Sequence, residues 1–392
     1  MPLLGEQKDI RYIGTLPRTV INGPSATGMG FWSINPYVGC AFGCAYCYAR
    51  YAHRYAVERQ VATTTTQHAP AAVGDDALPP WLAFERRIMV KQDAAALVRR
   101  ALRRPATLNG LRDDGVVIGT ATDPYQPAER RFRVTRSVLE VLAEHDGLRV
   151  TIITKSPLVT RDLDLLARIA ARSRLSVHVS LITVDRELAR RLEPRAPTPA
   201  ARLRGIARLR AAGIEVGVNV MPVLPGITDS PRALDALVRA VKDADASYLG
   251  ACALRLRRTA RERYLPFIET QFPELAARYR GAYARGHQVN ERYRDGLREQ
   301  FVKVCARHGV PFGRYYETAE EPGGETETEV GEAEVAAAQS ARGPYAQFSL
   351  ALDAAPAAPA APAAPAPAAP AAAPAPAAAP APAASAASMV RG

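Results

Sequence analysis

Short apolar runs alternate with amphipathic stretches along the chain as far as Tyr316. The runs Gly115–Thr120, Arg149–Thr154, Leu175–Leu181, Ile214–Val220 and Ser247–Leu254 are short, largely apolar and uncharged at their centres. They predict buried strands, and a sixth is expected around Ile34. Between them, apolar residues recur at helical spacing over Gln92–Arg103, Thr135–His145, Arg161–Ala171, Ala200–Ala212 and Arg232–Lys242. Strands that alternate with helices imply parallel βα units. Six units favour an α/β partial (β/α)6 TIM-like barrel over an open doubly wound sheet. In either arrangement functional groups collect at the C-terminal ends of the strands. The stretch Gln60–Met89 breaks the pattern and reads as an excursion over the barrel rim, after a first helix at Tyr48–Arg59. Arg298–His308 reads as a late amphipathic helix.

The composition changes sharply after Tyr316. Glu317–Glu334 is acidic and contains no base, and Ala354–Ala384 is almost wholly alanine and proline. Proline denies helix hydrogen bonds and alanine buries little surface, so this stretch is expected to form an extended, disordered tail. The expected organisation is therefore an N-terminal extension (1–29), a core with C-terminal helices (30–316), an acidic linker (317–350) and an Ala/Pro-rich tail (351–392).

Charge sharpens the picture. The formal net charge is +12, yet the chain from Glu317 onward carries nine acids and only two bases. The preceding body is therefore strongly basic, as a polyanion-binding protein would be, or as an arginine-rich solvated surface would be. Arginines with interleaved tyrosines follow the sixth predicted strand: Arg255, Arg257, Arg258, Arg261, Arg263 and Tyr264, then Tyr279, Tyr283 and Tyr293. That pattern suits phosphate contact and base stacking, or equally a solvated helix face. No apolar run is long enough for a membrane span, and the first residues lack a signal core, so a cytoplasmic location without membrane contact is expected.

The five cysteines are not spaced as a disulfide framework. Three fall in Gly39-Cys40-Ala41-Phe42-Gly43-Cys44-Ala45-Tyr46-Cys47-Tyr48, a C-x₃-C-x₂-C pattern, while Cys252 and Cys305 stand apart. Electron-transfer clusters use four thiolates. Three leave one iron open to a small molecule, as an open coordination position marks catalysis at zinc. Gly39 and Gly43 allow close backbone approach to a cluster. Tyr46 is placed to cover the cluster or lie near an adenine ring. A structural zinc site would need a fourth ligand, with His53 the nearest.

These residues resemble the signature of the radical S-adenosylmethionine (SAM) superfamily. The wider segment Asn35–Arg50 is similar to the branch related to spore photoproduct lyase and labelled DNA repair photolyase-like. The resemblance implies a [4Fe–4S] cluster on Cys40, Cys44 and Cys47 that chelates SAM and cleaves it reductively, giving a 5′-deoxyadenosyl radical that abstracts hydrogen from a substrate. It further implies SAM contacts from Thr122 and Asp123 after the second strand, from Lys155 after the third and from Ser180 at the end of the fourth. It makes a nucleic acid the leading substrate class, and an electron donor such as flavodoxin or ferredoxin a partner. The lyase branch draws its hydrogen donor from a second-strand cysteine. Gly119–Asp123 contains none, so thymine-dimer repair by that route is not expected, and Cys252 is the substitute the sequence offers. The other readings are a non-catalytic iron–sulfur or zinc protein that binds nucleic acid, and a radical SAM enzyme acting on a peptide or small metabolite.

Overall fold

The computed structural model describes residues 2–27, 30–52 and 78–313. The chain divides into two compact units, Met1–Asp353 and Ala354–Gly392, and every described residue belongs to the first. The acidic linker, the Ala/Pro tail, His53 and the far end of the helix expected at Tyr48–Arg59 lie outside the described residues.

The strands are β1 (Leu3–Gln7), β2 (Ile10–Thr15), β3 (Ile21–Asn22), β4 (Trp32–Ile34), β5 (Tyr37–Val38), β6 (Arg87–Lys91), β7 (Val116–Ile118), β8 (Arg149–Thr154), β9 (Arg174–Ser180), β10 (Glu215–Val223) and β11 (Tyr248–Ala253). The main sheet has the order β11-β10-β9-β8-β7-β4-β3. Its six strands β4 and β7–β11 are parallel, and β3 pairs antiparallel with β4. Helices follow the parallel strands, as the βα pattern requires, and the sheet is the six-stranded partial barrel expected from the alternation. Segment 311–313 lies along the outer edge of β11, where Leu249 N–H donates to the Pro311 carbonyl and Gly313 N–H to the Leu249 carbonyl.

Helix boundaries follow local chemistry. Asp185, Thr198, Ser230 and Asn290 each cap a helix by accepting from backbone N–H groups in its first turn. Proline opens the helices Pro199–Ala211 and Pro231–Asp243, where its missing N–H costs nothing. Gly309, at φ +64, ends the helix Glu291–His308. That helix starts a full turn or more before the amphipathic stretch marks it.

Two expectations change. The stretch read as a rim excursion ends in a helix, Pro80–Arg86, and in β6. β6 joins a second sheet of order β1-β2-β6-β5, built largely from the N-terminal segment. Its core triplet Ile88, Met89 and Val90 is buried, but its partner β2 lies more than seventy residues earlier, so no local pattern reveals the pairing. Tyr264, Tyr279 and Tyr283, read as a base-stacking set, are fully buried. Tyr264 and Tyr279 meet edge to face at 5.5 Å and Tyr279 stacks on Tyr283 at 6.0 Å. Their hydroxyls are used internally: Tyr279 donates to the Pro225 carbonyl and Tyr283 to the Leu254 carbonyl. Tyr293 donates to Asp229 at 2.7 Å. Large rings with a satisfied polar tip are core material, and the three fully buried ones are not a stacking platform.

Side chains alternate across β9. Leu175, Val177 and Val179 take one face, and Ser176, His178 and Ser180 the other. The second face is a polar layer: Thr151 and Ser176 hydroxyls lie 3.2 Å apart, and His178 Nε2 is 2.6 Å from the Tyr248 hydroxyl. Burial pulls the His178 pKa down from 6.5 to about 4, against a smaller opposing effect from its bond to Asn219. The folded state therefore holds neutral imidazole, while the unfolded chain takes up a proton once pH falls below 6.5. Stability is complete above that value and is lost as pH falls toward 4. Taken alone, the shift corresponds to roughly 3 kcal/mol. Urea melts at pH 7 and pH 5 should show His178→Gln losing less stability on acidification than the parent chain. Equal pH slopes would remove His178 as the cause.

Candidate functional site

The cysteine loop leaves β5 and runs from Gly39 to Cys47 with no regular structure, entering a short 3-10 turn at Tyr48–Arg50. Cys40 and Cys44 are buried and Cys47 is partly exposed. A buried irregular loop must find partners for its polar backbone outside itself. Cys40 N–H donates to the Phe84 carbonyl, Ala41 N–H to Gln126 Oε1 and Ala45 N–H to the Leu192 carbonyl, each at 2.9 Å. The Gly39 carbonyl accepts from Thr122 Oγ1 at 2.6 Å and Gln126 Nε2 at 3.0 Å. The Ala41 carbonyl accepts from Arg195 Nε, and the Cys44 carbonyl from Arg50 Nη2. Gly39 sits at φ +87, and a Cβ there would lie 2.7 Å from the Phe84 carbonyl oxygen, so the glycine is a steric requirement of this contact.

The thiols lie close enough to interact: Cys44 and Cys47 raise the Cys40 pKa, and Cys47 raises that of Cys44. Burial first, then Asp123, Cys44 and Cys47, push the Cys40 thiol well above its ordinary value. Burial pushes Cys44 up to about 12, while the Lys155 ammonium pulls the other way. Such thiols stay protonated until a metal supplies the compensating charge. Among the described residues, no three His, Cys, Asp or Glu side chains close on one point as a single ion requires. The donor set itself, three soft thiols on one glycine-containing loop, fits an iron–sulfur cluster that spreads its ligands around a cage.

The strand ends bring the other sequence-selected residues together. Asp123, just past β7, accepts from Thr154 Oγ1 at 2.7 Å and Tyr125 N–H at 2.9 Å through Oδ1, and from Lys155 N–H at 2.7 Å through Oδ2. It ties the second strand's loop to the third. Thr122 supports Gly39. Lys155, immediately after β8, holds Nζ 3.8 Å from Glu193 Oε1 and 5.6 Å from the Tyr46 ring centre. Ser180 ends β9, and its carbonyl accepts from Arg202 Nη1 at 3.0 Å. Tyr46 is buried and donates its hydroxyl to Glu193, which also pairs with the buried Arg202. Burial favours the neutral acid at Glu193, but Arg202 and Lys155 more than offset it, so its pKa falls below the usual carboxylate value.

Cys252 is partly exposed on β11, four residues beyond Tyr248 and hence on the same strand face. Cys305 is buried in the helix Glu291–His308, a packing position. The structure adds residues that the sequence did not single out: Gln126, Glu85, Arg50, Arg195, Arg202 and Asn35, whose side chain bonds Thr120 and the Ala121 N–H. Glu193 and Arg195 flank Pro194, directly after the helix Arg186–Leu192.

The radical SAM superfamily model matches residues 34–237, from the end of β4 into the helix after β10. The chain belongs to the radical SAM superfamily. Family membership implies SAM and an iron–sulfur cluster as cofactors. An uncharacterized protein of Mycobacterium tuberculosis is 36% identical over 286 residues, 73% of this chain and 77% of that protein. An uncharacterized protein of Methanocaldococcus jannaschii is 24% identical over 199 residues, 50% of this chain and 61% of the relative. Among solved structures, a spore photoproduct lyase variant aligns with TM-score 0.51 at 17% identity, covering 80% of this chain and 86% of the other. A second variant of that lyase, with bound AdoMet and dinucleoside spore photoproduct, aligns equally well. At this identity the likeness is one of fold. Among the described residues no helix is long and apolar enough to cross a membrane.

Two glycines offer a matched test of the loop. Gly30 and Gly39 both have positive φ, but a Cβ at Gly30 meets nothing within 4 Å. Gly30→Ala should cost about 1–2 kcal/mol from backbone conformation alone. Gly39→Ala should cost at least about 1 kcal/mol more, because it must also displace the Phe84 carbonyl. Urea melts of the metal-free proteins measure both; equal losses would show that the close approach at Gly39 carries no weight.

Proposed function

We propose that this radical SAM enzyme holds a [4Fe–4S] cluster on Cys40, Cys44 and Cys47 and binds SAM against Tyr46, Thr122, Asp123, Lys155 and Ser180. The observation that carries the reading is the convergence of three thiols with the ends of β7, β8 and β9. When bound, the cluster supplies the electron that splits SAM and starts hydrogen abstraction. The protein's part is to place and shield. Lys155 offers an ammonium, held near Glu193 only at 3.8 Å, to the SAM carboxylate. Asp123 spends three acceptor positions on protein donors, which leaves room for one more from the SAM ammonium. Ser180 presents a buried hydroxyl beside the ribose, and Tyr46 closes one wall.

For the substrate we propose a nucleic acid, supported by the basic body of the chain and by the family branch its cysteine segment resembles; the buried tyrosines lend no support. A flavodoxin- or ferredoxin-type protein is the proposed electron donor, and the cytoplasm the proposed compartment. A peptide or small-metabolite substrate is the alternative outcome.

Anaerobic reconstitution with iron and sulfide, followed by dithionite and SAM, should yield 5′-deoxyadenosine and methionine. Cys44→Ser should bind far less iron and yield neither. A Cys44→Ser protein with full iron and sulfide content would refute the ligand assignment. Binding to a DNA duplex should weaken by at least about tenfold between 50 and 200 mM salt if several phosphates are contacted. Salt-independent or undetectable binding would move the substrate to the alternative.

A further inference from the structure

The segment Leu192–Arg195 straddles the cysteine loop. Its backbone pairs with the loop at Ala45 and, through Arg195 N–H, at the Phe42 carbonyl. On one side Glu193 meets Tyr46, Lys155 and Arg202. On the other side Arg195 forks, with Nε to the Ala41 carbonyl at 2.5 Å and Nη2 to Glu85 Oε2 at 2.8 Å. Glu85 Oε1 accepts from Arg50 Nη2 at 2.6 Å, and the same Arg50 nitrogen donates to the Cys44 carbonyl at 2.6 Å. Arg50 Nη1 is held in turn by the Trp81 carbonyl at 2.5 Å. Arg263 stands 3.9 Å from Glu85 and lies over the Trp81 ring. One carboxylate thus anchors two guanidiniums, and each guanidinium grips the backbone of the cysteine loop. Gly43 lies within this grip: a Cβ there would be 2.7 Å from Arg195 Nη2 and 2.9 Å from Glu85 Oε2.

The charge around the loop does not cancel. Five cations, Arg50, Arg195, Arg263, Lys155 and Arg202, surround two carboxylates, Glu85 and Glu193. Asp123 beside Cys40 adds a third acid, so the surroundings stay net positive. A cluster on three thiolates is anionic, and reduction adds one more negative charge. Fixed positive charge in a buried setting stabilises the reduced form more than the oxidised one.

Resting on the reading that the three cysteines carry an iron–sulfur cluster, we propose that Glu85 and Arg195 are positioning residues: they clasp the loop from behind and, with Arg50, set how easily its cluster is reduced. The two act through opposite charges on one hydrogen-bonded assembly. Arg195→Gln removes a cation and should make the cluster harder to reduce, by about tenfold in the reduced-to-oxidised ratio at fixed potential, about 59 mV for one electron. Glu85→Gln removes an anion and should shift the midpoint the other way. Arg195→Lys keeps the charge and loses the fork, so it should hold the parent potential while loading less iron.

The test is an EPR-monitored redox titration of the reconstituted proteins, paired with iodoacetamide alkylation of the metal-free proteins. Opposite shifts for Arg195→Gln and Glu85→Gln are the expected result. Shifts of the same sign, or no shift in either, would overturn the electrostatic role, because a purely structural loss moves both together. Alkylation tests the clasp without any cluster. Arg195→Gln and Glu85→Gln should expose Cys40 and Cys44 and speed their modification at least tenfold, and unchanged rates would overturn the clasp. A parent chain that binds no iron and sulfide defeats the reading under Proposed function, while the alkylation rates still decide the clasp.

Discussion

A buried loop without secondary structure must export its hydrogen bonds, and the site of this protein is organised by that requirement. Nine residues, Gly39 to Cys47, carry three thiols into the interior without a ladder or helix of their own. Their amides and carbonyls are answered by Phe84, Leu192, Gln126, Thr122, Arg50 and Arg195, drawn from four separate stretches of chain. Each leaves the loop less freedom. The thiols are therefore held in position by their surroundings without any metal, which would lower the ordering cost of binding the proposed cluster.

The parallel sheet supplies most of those surroundings through one geometric property. Consecutive parallel strands end at the same edge, so the residues just beyond β7, β8 and β9 are neighbours in space. Asp123 makes the relation explicit by bonding to Thr154 and to the amide of Lys155. The second sheet does a different job. Its strands β6 and β5 flank the helix Pro80–Arg86 and the start of the cysteine loop, which brings Phe84 and Glu85 against the loop from outside. The barrel thus faces the loop with the groups suited to a small polar ligand, and the N-terminal sheet backs it with groups that fix its course.

Three buried polar groupings follow one rule. His178 and Tyr248, Glu193 and Arg202, and Glu85 with its arginines are all buried or nearly so, and each is matched with a partner. A buried ion pair contributes little net stability, because desolvation offsets most of the attraction. These groups are better understood as fixing geometry. The tyrosines of the C-terminal helices make the same point: Tyr264, Tyr279 and Tyr283 take the interior because each hydroxyl finds an internal partner.

The sequence alone carried the six βα units, because a strand or helix is written in contacts between residues two to four apart. It also carried the cysteine motif, and with it the family resemblance that implied the polar residues near three strand ends. Partners across long separations were not legible. Tyr46 and Glu193 are 147 residues apart, Ala41 and Arg195 are 154 apart, and Arg50 and Glu85 are 35 apart. An arginine in this chain reads as one solvated base among many until packing decides which are sealed inside. The tertiary structure alone made that choice, because only close packing excludes water from Arg50 and Arg202 and forces each to a specific carboxylate.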